Sequence, residues 1–504
     1  MGIREINQPI RNKFWRKSVL LYLLFTPILG GLIWLHLHPT ATDASAASPM
    51  GLSNDQNTQN IYLPLVSKTD PRHNQFGVES TTSLAEPTLL EYTKRLGVSF
   101  TRLNDRVSWR ELQPEASDAI NWSLLTDFEI ELRTLLTAHI TPIIVVDDYP
   151  YWATDNTVRI DGMPTSCGPL LPDRYDDFAT FMQALVQRYS SGEFNVHIWE
   201  MGNEPDVDPN LVPLNNMFGC WGDWEDPFYN GRAYGQMLMT VTPAIKAIDP
   251  SAQVWIGGLL LDSPNTIDDN IGQPEDFFRG ILEAGAAPYF DMVPYHVYVN
   301  YSTLRVDRDL FSTKAWDAWG GHVRGKARFL RAIMLEYNVE KPLFIDEISL
   351  VCTWCLESHI PGLYDMQANL VPRSFPRAMA DGISGFIWYT LPEIYWRYCS
   401  LLDQSMLPKP AYLSYQTFME MVSDGVLLGQ ADYGTGIEAY TFTNETEFID
   451  IIFTIEDIQS TILIPVSNFI AAYDRFGNSI IPTLSGSNYL LTIQYEPIYL
   501  VRTR

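Results

Sequence analysis

From about Gln75 the chain alternates short apolar runs with segments whose apolar residues recur every three or four positions. The short runs are Phe76–Val78, Phe100–Leu103, Pro142–Val146, Val196–Met201, Gln253–Gly257, Met292–His296, Leu343–Asp346 and Gly385–Tyr389. Several show no polar alternation, as expected of strands covered on both faces. Between them, Tyr175, Phe178, Met182, Leu185 and Tyr189 mark one amphipathic helix, and Tyr234, Leu238, Val241, Ile245 and Ile248 another. Val323, Ala327, Leu330, Met334 and Tyr337 mark a third. Eight strands, each followed by helical sequence, predict an α/β fold, a (β/α)8 TIM barrel, over residues 73–419. An open dinucleotide-binding sheet fits less well, since no GxGxxG follows the first strand.

The pattern changes after about Glu420. Glu438–Thr443, Phe448–Thr454, Thr461–Pro465 and Leu490–Gln494 read as strands separated by turn residues such as Phe476-Gly477-Asn478. This predicts a small C-terminal all-β sandwich over residues 420–504.

Composition narrows the function more than the fold. The 504 residues carry a formal charge of −26, which repels a phosphate backbone and argues against nucleic-acid binding. Arg11, Lys13, Arg16 and Lys17 precede an uncharged apolar run from Ser18 to Leu37, followed by a Thr/Ala/Ser stretch. Residues 1–48 therefore read as a secretory signal or an uncleaved anchor that engages the membrane. Residues 49–72 read as a polar linker. Either reading places the bulk of the protein outside the cytoplasm, secreted or tethered. Cysteines at 167, 220, 352, 355 and 399 then favour disulfides over a metal site, for example Cys167 with Cys220, because the lone Cys352-Thr-Trp-Cys355 has no second pair. The sequence does not specify an oligomeric state.

Catalytic groups of a barrel sit at the C-terminal strand ends. Ile198-Trp199-Glu200-Met201-Gly202-Asn203-Glu204-Pro205 ends the fourth strand, and Leu343-Phe344-Ile345-Asp346-Glu347 ends the seventh. Two carboxylates at one face are what glycoside cleavage requires: one protonates the departing oxygen and the other attacks the anomeric carbon or activates water. Asn203-Glu204-Pro205 together with Glu347 resembles clan A of the glycoside hydrolases, over roughly residues 75 to 415. Family 39 (β-xylosidases and α-L-iduronidases) is the nearest in flavour, with family 5 (cellulases and relatives) behind it.

The resemblance implies that Glu204 is the acid/base and Glu347 the nucleophile of a retaining glycosidase that needs no cofactor or metal and acts on a carbohydrate. It also implies that Arg102 lowers the pKa of Glu347, that Asn203 binds the sugar 2-hydroxyl, and that His296 and Tyr298 lie near the nucleophile. Trp388 would be the platform beneath the cleaved sugar and Trp152 a further subsite wall. Asp346 stands where family members often carry Thr or Asn, and strand alternation sends it toward the helices. Glu200 reads as a structural carboxylate, and Glu79, Asp147 and Asp148 also end strands. The alternative is a barrel that has lost catalysis and only binds glycans at the cell surface.

Overall fold

The computed structural model describes residues 76–504 apart from 156–165, 209, 211–218, 220, 262–272, 308, 311–313, 393 and 395. The proposed signal, anchor and linker lie outside the described residues. Among the described residues no helix is long and apolar enough to cross a membrane.

Eight parallel strands form the barrel: β1 (Phe76–Val78), β2 (Phe100–Ser108), β3 (Thr141–Asp147), β4 (Ile198–Asn203), β5 (Gln253–Gly258), β6 (Val293–Asn300), β7 (Leu343–Val351) and β8 (Phe386–Trp388). They pair in the order β5-β4-β3-β2-β1-β8-β7-β6. Parallel bridges from Trp255 to Met292 and from Leu259 to Tyr295 close β5 onto β6. A helix follows each strand: Pro87–Leu96, Thr126–Thr137, Tyr175–Tyr189, Gly231–Ile248, Asp276–Glu283, His322–Glu336, Ile360–Ala380 and Pro410–Val422. Their apolar faces pack on the barrel, as the three-and-four spacing requires; Tyr175, Phe178, Met182, Leu185 and Tyr189 are all buried.

Eight further strands build the C-terminal part: β9 (Val426–Ala431), β10 (Ile437–Thr443), β11 (Glu447–Thr454), β12 (Ser460–Pro465), β13 (Phe469–Asp474), β14 (Thr483–Ser485), β15 (Asn488–Ile493) and β16 (Ile498–Thr503). They form an antiparallel sheet β13-β16-β11-β10-β9 and a smaller one, β12-β15-β14. Strand alternation divides the larger sheet between two cores. Ala439, Ile452 and Leu500 join Ile462 and Leu491 inside the sandwich, while Tyr440, Ile451 and Tyr499 join the barrel's core.

Buried charges also tie the sandwich to the barrel. Arg377, on the helix after β7, grips Glu438 on β10 through Nε (2.9 Å) and Nη2 (2.7 Å). Arg373, one turn earlier, donates to the Thr454 carbonyl (3.1 Å) and to Asp307 (2.8 Å). Removing one partner of such a buried set leaves an uncompensated charge.

Candidate active site

Arg102 is the hub of the barrel's C-terminal mouth. It projects inward from β2 and is fully buried. Nε and Nη2 hold Glu200 of β4 at 3.0 and 2.8 Å. Nη2 also donates to Asn203 Oδ1 at 2.6 Å, and Nη1 donates to Glu79 beyond β1 (3.1 Å) and to Glu347 on β7 (2.5 Å). Glu200 and Glu79 thus lie inside this network, and β1, β2, β4 and β7 meet on one guanidinium.

Glu204 leaves β4 in the left-handed region, with φ of 48°, and its N–H donates to the Gly258 carbonyl at 3.0 Å. A non-glycine residue held there is strained, and this turn aims the carboxylate across the mouth. His296 Nδ1 lies 2.8 Å from Glu204 Oε1 and 3.4 Å from Glu347 Oε2. Tyr298, two residues on along β6, donates its hydroxyl to Glu347 Oε2. His296 and Glu347 are direct partners across β6 and β7. One carboxylate oxygen from each glutamate and one imidazole nitrogen lie within 4.8 Å of one another. The side chain of Glu204 is 22% exposed and that of Glu347 5%, so the pair borders solvent at the floor of the mouth.

Asp346 corrects the expectation drawn from strand alternation. Tyr295 pairs with Ile345 and His296 with Glu347, so Asp346 is an extra, bulged residue on β7. The bulge turns it inward with its neighbour: it lies 3.5 Å from Arg102 Nε and 3.7 Å from His296 Nε2. Gly258 on β5 makes room for this, since a Cβ there would collide with the His296 ring and the Asp346 carboxylate.

At Glu347 the expected downward pull of Arg102 is present but is not the largest effect. Burial pushes its pKa above the ordinary value, and the pull of His296, Arg102 and the Tyr298 hydroxyl does not cancel that push. Burial likewise raises Glu79 well above its usual range against the pull of Arg102, and raises Glu200 to about 7. His296 runs the other way: burial favours the neutral ring, but Glu347 and Asp346 hold its pKa well above the usual imidazole value. Against the push of burial, His296 and Arg102 keep Asp346 below the carboxylate range.

The two expected platforms pack among other side chains. Trp388 is fully enclosed, with its indole N–H on the Cys399 carbonyl at 2.9 Å, so it has no ring face open to a sugar and packs the mouth. Its neighbour Tyr389 is half-buried and meets Tyr298 edge-on at 6.1 Å, and Trp396 stands 5.0 Å from Tyr298. These two rings wall the Glu347 side of the mouth. The aromatic-rich stretch from Trp388 to Tyr398 was the available signal for them. Trp152 is half-buried and packs edge-on against Trp109 at 5.2 Å. Asp148 pairs with Arg110 at 2.9 Å, while Asp147 is buried. Cys352 and Cys355 are joined as a disulfide. Cys167 is also disulfide-bonded, and Cys220 lies outside the described residues.

No family model matches the chain, and no curated protein matches it. Solved structures do. A family 39 glycoside hydrolase from Bacteroides cellulosilyticus WH2 superposes with a TM-score of 0.62 at 17% identity, over 86% of this chain and 81% of that one. In fold, the chain resembles glycoside hydrolase families 39 and 30. The family 30 example is an endoxylanase from Clostridium papyrosolvens C71, with a TM-score of 0.55 at 12% identity over 86% of this chain and 96% of that one. A monomeric β-xylosidase from Caulobacter crescentus CB15 gives 0.55 at 14% identity, over the same shares.

Proposed function

We propose that the protein is a retaining glycoside hydrolase acting on an oligo- or polysaccharide outside the cytoplasm. The observation that carries this reading is the approach of Glu204 and Glu347, whose nearest oxygens lie within 4.8 Å with His296 beside both. Double displacement uses carboxyl groups about 5–5.5 Å apart, whereas inversion needs roughly 6.5–9.5 Å to admit a water. Glu347, steadied by Arg102 and Tyr298, attacks the anomeric carbon while Glu204 protonates the leaving oxygen. The resulting glycosyl ester is then hydrolysed by a water that Glu204 deprotonates. Asn203, fixed by Arg102, is placed to bind the sugar 2-hydroxyl. The intact pair and its supporting shell argue against a barrel that only binds glycans. The Cys352–Cys355 disulfide and the basic-then-apolar N-terminal sequence support an extracytoplasmic site of action.

The test is hydrolysis of a panel of aryl glycosides and polysaccharides by wild type and Glu347→Ala, with proton NMR of the first-formed anomer. Activity lost in the variant and an initial product of retained configuration are expected. Activity surviving in Glu347→Ala would remove the assigned nucleophile, and an inverted first product would remove the double displacement.

A further inference from the structure

Among the described residues, three aromatic side chains are more than a third exposed: Tyr151 at 47%, Trp224 at 36% and Trp354 at 48%. All three lie in segments that leave the C-terminal ends of barrel strands, Tyr151 after β3, Trp224 after β4 and Trp354 after β7. The other described aromatics, on the helices and throughout the sandwich, are at least partly covered. In a chain this rich in aromatic residues, 13% of the sequence, the described residues thus bare rings of this kind only around the mouth that holds Glu204 and Glu347. Exposing so large an apolar face costs solvation, so a cluster confined to one rim marks a binding surface.

The placement is two-sided. In the closed ring β3 stands opposite β7, four strands away in either direction. Tyr151 and Trp224 therefore flank the acid/base side and Trp354 stands across from them, with the carboxylates between. β7 runs four residues past Glu347 to Val351, which at about 3.3 Å each carries the loop roughly 13 Å above the nucleophile. Trp354 is thus beyond the reach of the sugar being cleaved. It is also held in place. The Cys352–Cys355 disulfide closes the turn that bears it, one side of its ring stacks on Tyr301 at 5.7 Å and 21°, and the His359 ring lies 4.9 Å away at 70° to it. A ring ordered beforehand loses little entropy on binding.

We infer that the mouth is a multi-subsite rim for an extended, neutral polysaccharide chain, with Trp354 as the outer stacking platform on one side and Tyr151 and Trp224 on the other. The inference rests on the glycosidase reading and deepens it: platforms on both sides of the carboxylates suit internal cleavage of a long chain. The formal charge of −26 favours a neutral chain over a uronate- or sulfate-bearing one by long-range repulsion.

The experiment is a chain-length series, xylobiose to xylohexaose and cellobiose to cellohexaose with oligogalacturonates as the uronate-bearing comparison, hydrolysed by wild type, Trp354→Ala, Trp354→Phe and Tyr151→Ala, each checked for folding by circular dichroism. Wild-type kcat/KM is expected to rise about tenfold or more from dimer to hexamer, with internal fragments among the first products, because remote contacts lower the barrel's reaction barrier. In Trp354→Ala that rise is expected to shrink roughly fivefold, the scale of one lost stacking contact. Trp354→Phe is expected to keep most of it, and Tyr151→Ala to shift the cleavage position. A flat series releasing single units from one end, or a Trp354→Ala series that follows wild type, overturns the rim and leaves the glycosidase standing. Cleavage only of uronate-bearing oligosaccharides overturns the neutral chain. A folded wild type that cleaves no sugar chain overturns both readings.

Discussion

Arg102 grips Glu200 with two parallel hydrogen bonds, from Nε at 3.0 Å and Nη2 at 2.8 Å, inside a barrel where neither side chain touches solvent. That two-pronged contact fixes the plane of the guanidinium. Its remaining N–H group, Nη1, must then point toward Glu79 and Glu347. The position of Glu347 is therefore set from β4 through β2, and not by β7 alone.

Replacing Arg102 should damage both stability and catalysis. Arg102→Gln strands Glu79, Glu200 and Asp346 without their buried cation, a loss of about 3–5 kcal/mol by the usual cost of breaking a buried pair. Chemical denaturation checks this. Arg102→Lys should recover little, since an ammonium cannot form the two-pronged contact.

Tyr298→Phe removes a hydroxyl that donates to Glu347. A hydrogen bond to a charged group is worth about 1.5–3 kcal/mol, so kcat should fall about tenfold or more. The pH profile discriminates this from simple misfolding. As the proposed nucleophile Glu347 must be ionised, burial already raises its pKa, and losing a donor to the charged form raises it further. The acid limb of kcat/KM should thus lie above the ordinary glutamate value of 4.5 in wild type and move to still higher pH in Tyr298→Phe.

Stability should fall from mildly acidic toward alkaline pH. Burial raises Glu79 and Asp147 well above their usual values, Glu200 to about 7 and Asp206 to about 6. These groups bind protons in the folded chain that the unfolded chain has released, so their contribution is complete below about pH 4 and is lost as pH rises through their folded values. Asp307 and Glu438 act oppositely: against the push of burial, Arg377 lowers both, and their contribution is lost below about pH 4. Thermal melts should show a higher midpoint at pH 5 than at pH 8, and a falling one toward pH 3. A midpoint that climbs from pH 5 to pH 8 would contradict the assignment of raised carboxyls.

A divalent transition metal should inhibit. Glu204, His296 and Glu347 offer three ligand atoms within 4.8 Å, a donor set that suits zinc or copper. A metal held there would occupy both carboxylates that the proposed double displacement needs. Activity is expected to be unchanged by EDTA and to fall with added zinc, measurable as inhibition competitive with substrate. Loss of activity on chelation would instead mark a metal-dependent reaction.

Much of this was legible along the chain. The short apolar runs located all eight barrel strands and the three-and-four spacing marked three of the helices between them, because strands covered on both faces and helices packed on one face leave those patterns in the sequence. The Asn203-Glu204 and Glu347 positions were legible because strand ends are where a barrel exposes side chains to a substrate. In the sandwich, β9, β13, β14 and β16 were less visible; β9 alternates exposed and half-buried residues, and β14 is three residues long. What only the tertiary structure decided is the traffic between strands. Alternation placed Asp346 outside, yet a bulge defined by pairing with β6 turned it inward. Proximity to Arg102 suggested a depressed Glu347, yet desolvation outweighed the cation once the depth of burial was known. Periodicity records which face of its own strand a residue occupies; register, bulges and the balance of charge against burial depend on neighbours far away in the chain, and no local pattern carries them.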